Sequence, residues 1–224
     1  MIESWRWFGP LDEIELKEIY QTGSNSIVTA LHDISYGEVW SISEIEKRKA
    51  MIEAVGLTWS VVESLPVHED IKLGIGNTNN FFENYRISLA NLARCGVSIV
   101  CYNFMPLLDW TRTNLNAPAD TGGSALRFSM AEMAAFDVFV LKRKSAIDDY
   151  STEVLNNAEE IFKNSNKQYF EKILRNIMAG LPGSYSRYST EKLREVLKKY
   201  EGFKHEDLRN NYAKFLKEII PTAT

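Results

Sequence analysis

The chain has 224 residues, enough for one large domain or two small ones with a sizeable core. A net charge of -4 and a pI near 5.5 leave no basic footprint for nucleic acid, and no apolar run approaches the length of a membrane span. The amino terminus lacks a signal-peptide layout, and its two cysteines, Cys95 and Cys101, read as buried thiols of a reducing cytoplasm rather than a disulfide or a two-cysteine metal site.

Taken in order, the first half alternates short apolar runs with helical patterns. Ser4-Trp5-Arg6-Trp7-Phe8 is compact and aromatic, and Gly9-Pro10 ends it. Leu11 to Tyr20 puts Leu11, Ile14 and Ile19 toward one side, which predicts a helix stopped by Gly23. A second strand is predicted over Ser26–Leu31, ending at His32-Asp33. Ser43 with Glu46 has capping-box spacing and predicts a helix to Ala54, terminated by Gly56. A third strand, Leu57–Val62, ends at Glu63. The polar loop with His68-Glu69-Asp70 reads as extended, so that adjacent side chains diverge and do not share an ion. A helix from Asn80 to Arg94 follows, with Phe81, Tyr85, Leu89 and Leu92 at buried-stripe spacing. The fourth strand is predicted over Val97–Tyr102.

Strands and helices joined this tightly must make parallel strands with right-handed crossovers, as in a doubly wound sheet or half of an eight-fold barrel. No G-x-G-x-x-G or Walker loop occurs, and Gly74-Ile75-Gly76 follows no strand. From 113 to 200 the rhythm changes to a mainly helical insertion. It opens with a turn at Asn116–Gly123 from which Ala125–Phe128 returns, as a hairpin would. Helices are predicted over Met130–Leu141, Glu153–Asn164, Gln168–Met178 and Thr190–Tyr200, with a break at Gly180-Leu181-Pro182-Gly183. Lys142-Arg143-Lys144 reads as an exposed helix end favoured by the helix dipole. A last helix runs from His205, itself read as solvated, to Ile220.

The stretch Ser98–Arg112 organises the rest. An apolar strand there turns polar at Asn103 and passes Pro106 into a segment with Asp109, Trp110 and Arg112. In barrels of parallel strands the carboxyl ends carry the site.

Trp5–Pro10, Val28–His32, Gly37–Ser41, Trp59–Ser64, His68–Lys72, Cys101–Pro106 and Asp109–Thr113, with Ala125–Phe128 and Asn176–Gly183 in the helical insertion, together resemble D-mannonate dehydratase. The resemblance runs the length of the chain. It implies a TIM-like barrel related to the xylose-isomerase group, dehydrating D-mannonate to 2-dehydro-3-deoxy-D-gluconate in hexuronate catabolism. It also implies Mn2+ or Fe2+ as Lewis acid for the enolate-like charge. In that family the metal ligands lie on later strands, beginning with a His-Pro-Asp-Asp block that this sequence lacks. The resemblance therefore makes residues 1–224 a single incomplete barrel domain, the amino-terminal portion of the enzyme, with no tightly bound metal and no activity alone.

On that reading the substrate-binding candidates are His32, Glu63, Asn103, Trp110 and Arg112. His32 can bond a hydroxyl or sit satisfied under a loop. Glu63, at a buried strand end, needs a partner, either in the site or in a structural ion pair. Asn103 can bind a hydroxyl or cap loop backbone. Arg112 offers two parallel donors to a carboxylate, against a salt bridge with Asp109 or Asp33, which is preferred. Trp110, Trp40 and Trp5 can wall a sugar, but core packing is the favoured use of each, with Trp110 the best site candidate. The rival functions are a sugar isomerase or epimerase on a similar barrel, and a non-catalytic remnant. The expected partner is a small sugar acid, with no nucleic acid or membrane, and a homo-oligomer is compatible. A half barrel exposing two edges and an apolar face is expected to aggregate, dimerise or be partly molten.

Overall fold

The computed structural model describes residues 1–108, 110–179 and 189–223. Asp109 and the break at Gly180–Gly183 lie outside the described residues. The chain divides into two compact units, residues 1–106 with 203–224, and residues 107–202.

Four short strands form the first unit's sheet: β1 (Ser4–Arg6), β2 (Ser26–Thr29), β3 (Thr58–Val62) and β4 (Ile99–Val100). They lie in sequence order and every pair is parallel. The predicted strand at Val97–Tyr102 keeps a regular ladder over two residues only. Beyond it the chain still follows β3, because Cys101 N–H donates to Val62 O at 2.8 Å and Leu65 N–H to Cys101 O at 3.0 Å.

The intervening helices are α1 (Leu16–Gln21), α2 (Ile42–Glu53), α3 (Glu69–Leu73) and α4 (Asn79–Arg94). α1 starts later than its apolar spacing predicts. Asp12 accepts from Phe8 N–H at 2.8 Å and Ile14 N–H at 3.0 Å, which holds that stretch in a turn. Glu15 and Glu18 then make the capping box. In α2 the cap is Ser41, whose hydroxyl accepts from Glu44 N–H at 3.3 Å, so the helix starts before the Ser43–Glu46 pair. His68–Asp70 is not extended. His68 caps α3, its Nδ1 accepting from Asp70 N–H at 3.1 Å while its ring stacks on Phe81.

A register shift between β2 and β3, where Ile27 pairs with Trp59 but Val28 with Val61, breaks the simple alternation along β3. Ile27, Thr29, Trp59 and Val62 are buried beside Ile45, Ile52 and Leu92 of the helices. Each fully buried Ile or Leu contributes ~1.5–3 kcal/mol. On the opposite face the register aligns Arg6, Val28, Val61 and Ile99 in one row. None of that row is buried, and Ile99 is 53% exposed. The helix α9 (His205–Ala223) runs past its predicted end through Pro221 and belongs to the same unit. It inserts Phe215 among the rings of Tyr85, Tyr102 and Phe104, and Glu218 pairs with Arg86 at 2.8 Å.

The second unit opens with an antiparallel hairpin of β5 (Asn114–Pro118) and β6 (Ser124–Arg127). Then come α5 (Met130–Ala134), α6 (Thr152–Asn164), α7 (Lys167–Met178) and α8 (Thr190–Lys198). The helix expected over Met130–Leu141 changes to π geometry at Ala135–Leu141. The buried Asp137 there is gripped by Arg143 at 2.7 Å and by the Tyr150 hydroxyl at 2.9 Å. Arg143 is thus an internal clamp and not simply part of a solvated helix end. Among the described residues no helix is long and apolar enough to cross a membrane.

Candidate functional site

The carboxyl ends of β1, β2 and β3 carry Arg6, His32 and Glu63. Backbone at the ends of β1 and β3 leaves the sheet in step with β2, as Trp7 N–H donates to Val28 O at 3.0 Å and Glu63 N–H to Thr29 O at 3.0 Å, while His32 lies in the turn that follows β2. The Arg6 guanidinium lies 3.8 Å from Glu63 and 5.1 Å over the Phe8 ring. Burial pushes its pKa down to about 10. His32 is lowered to about 4, first by burial and then by the positive charges of Arg6 and Arg48. Its ring bonds the Phe8 backbone, while Nδ1 is buried without a hydrogen-bond partner among the described residues. That leaves Nδ1 the acceptor of a neutral imidazole.

A second arginine builds the floor. Arg48 of α2 donates to the Ala30 carbonyl at 2.7 Å and to Asp33 at 3.1 Å, and lies 5.5 Å over the Trp7 ring. The chain above it must be glycine: Gly9 has φ of +94°, and a Cβ there would stand 3.0 Å from the guanidinium.

The sequence candidates fall in two places. His32, Glu63 and Asn103 lie in the sheet unit, where the Asn103 amide reaches the Ser64 hydroxyl at 3.5 Å. Trp110 and Arg112 lie in the second unit. There Arg112 donates to the Trp110 carbonyl and sits 5.6 Å over its ring. Of the two bridge partners expected for Arg112, Asp33 pairs with Arg48, and Asp109 lies outside the described residues. Trp40 is packed in the core as expected, at 1% exposure, but Trp5 and Trp110 are exposed.

Two residues escaped the sequence reading. Arg48 was detectable, because it shares the apolar face of Ile45 and Ile52 at helical spacing. Arg6 was not, since an arginine in a three-residue strand among aromatics has no periodicity to violate.

Among the described residues no three of His, Cys, Asp and Glu gather as a metal ion requires. The groups at the strand ends fit a different task. A guanidinium beside two acceptors, Glu63 and His32 Nδ1, suits a small molecule that combines negative charge with hydroxyls.

The family model described as D-mannonate dehydratase (UxuA) matches residues 1–224. Mannonate dehydratases of Marinomonas sp. and Saccharophagus degradans are 49% and 46% identical over 223 residues. The chain spans 57% and 56% of their lengths. A crystal structure of mannonate dehydratase from Streptococcus suis superposes with a TM-score of 0.64 at 32% identity, covering all of this chain and 50% of that one. The chain thus spans about half the length of these relatives.

Proposed function

From the premise that this chain belongs to the D-mannonate dehydratase family, we propose that it forms the sheet-side wall of an enzyme converting D-mannonate to 2-dehydro-3-deoxy-D-gluconate in the cytoplasm. The observation that carries the reading is the end-to-end family match laid over a parallel sheet with Arg6, His32 and Glu63 at its carboxyl ends. The four strands are about half of a TIM-like barrel, and residues 113–200 are the helical insertion within it.

The reaction removes a proton next to the carboxylate and hydroxide from the following carbon. Residues that hold the carboxylate and hydroxyls fix which carbon is presented, and such orientation is a large share of catalysis. The described residues do not fit a Mn2+ or Fe2+ cage. This portion supplies substrate contacts, and the chain alone is expected to be inactive.

The test joins this chain to the remaining length of the Marinomonas relative and follows D-mannonate with Mn2+ or Fe2+ supplied. Formation of the 2-keto-3-deoxy acid by the joined protein, and none by the 224-residue chain, is expected. Ketose formation without keto-deoxy product would instead favour a sugar isomerase.

A further inference from the structure

Arg6 is a poorly satisfied charge. Its guanidinium has five N–H donors, yet it makes no hydrogen bond to any described residue. Besides the Phe8 ring 5.1 Å away and the neighbouring Cys101 thiol, its charged contact is the 3.8 Å approach of Glu63, beyond hydrogen-bond reach. Its Nε is buried without a partner. The side chain is only 22% exposed, so water replaces little of what is missing. The neighbouring arginine shows the contrast, for Arg48 bonds both Ala30 O and Asp33. Arg6 also stands in a row with Val28, Val61 and Ile99 on the sheet face that is only partly covered, Ile99 being exposed and the other three half-buried.

We propose that Arg6, with Glu63 and His32 as neighbouring acceptors, receives the carboxylate of a polyhydroxy acid at the end of β1. The proposal rests on the sugar-acid reading above and names the group that recognises the acid, a task the sequence offers to Arg112. The guanidinium takes the carboxylate through donors that the protein leaves unused, while Glu63 and His32 Nδ1 accept from the ligand's hydroxyls. A bare anion satisfies Arg6 but meets the repulsion of Glu63 with no hydroxyl to offset it. An uncharged polyol satisfies the acceptors and leaves Arg6 as it was. A hydroxylated carboxylate satisfies all three.

The experiment titrates the 224-residue chain, labelled with 15N-arginine, with D-mannonate, D-mannitol and acetate. D-mannonate is expected to move the Arg6 Nε–H resonance at lower concentration than acetate, and D-mannitol is expected to leave it in place. Arg6→Gln should weaken D-mannonate binding at least about tenfold, and Arg6→Lys should fall between, keeping charge without the fork. Arg6→Lys keeps the charge beside Glu63 and should melt close to the parent, so that a loss of binding in it is read apart from a loss of fold. Equal D-mannonate affinity in the parent and Arg6→Gln, or no binding by the parent, would overturn the proposal. Arg6-dependent binding without dehydration in the joined enzyme would sustain this subsite while the dehydratase reading failed. Dehydration with an unchanged KM in Arg6→Gln would do the reverse.

Discussion

Arg48 and His32 show how much the strand ends depend on single groups. Arg48 is 4% exposed, and removing it orphans the Ala30 carbonyl beneath Gly9. Arg48→Met should therefore destabilise the chain by about 2–4 kcal/mol in urea unfolding. Asp33→Asn should lose less than about 1 kcal/mol, because that carboxylate is 68% exposed. For His32 the folded pKa of about 4 lies below the ordinary 6.5. The unfolded chain thus binds the extra proton between those values, and the stability given by the neutral ring is complete above 6.5 and lost as pH falls toward 4. His32→Gln should flatten that part of the profile. Urea midpoints near pH 7 and near pH 5 measure it, and an unchanged slope would contradict a buried neutral imidazole. Sequence placed His32 and Glu63 at strand ends because apolar runs stop visibly there. It could not place their arginine partners together, since β1, β2 and α2 meet only through the sheet's crossovers.

At the level of elements, the alternation of strands and helices was legible from hydrophobic period, and the parallel order follows from connection length. Boundaries were less so. Asp12 diverts the start of α1, and Ser41 rather than Ser43 caps α2, because the competing side-chain bonds depend on local geometry that residue type alone does not fix. The π segment was invisible for the same reason. Its buried Asp137 binds Arg143 and Tyr150, groups that lie beyond the segment's own end. Asp137→Ala should cost about 3–5 kcal/mol, read as an earlier urea transition of the 107–202 unit by amide hydrogen exchange of its helices. Asp137→Asn, which keeps part of the hydrogen bonding, should cost less. Equal stability of Asp137→Ala and the parent would show that the cluster is not structural.

For the whole molecule, the uncovered face matters most. Among the described residues β1 and β4 are sheet edges, where Trp5 and Ile99 are exposed, and Val28 and Val61 of the inner strands are half-covered. Unpaired edges and an apolar face favour association. Light scattering coupled to gel filtration should find dimers or larger species at micromolar concentration, and a sharply melting monomer would refute this. The family resemblance was legible from end to end, and the four-stranded parallel sheet agrees with it.

The proposed function divides labour, with sugar-acid contacts on this chain and the ion's cage on the remaining length of the family's sequence. A Mn2+ titration of the 224-residue chain followed by electron paramagnetic resonance separates the two halves of that division. No stoichiometric site should be found on the chain alone, and one site per chain should appear once the Marinomonas remainder is joined. One tightly held Mn2+ on the 224-residue chain by itself would contradict the claim.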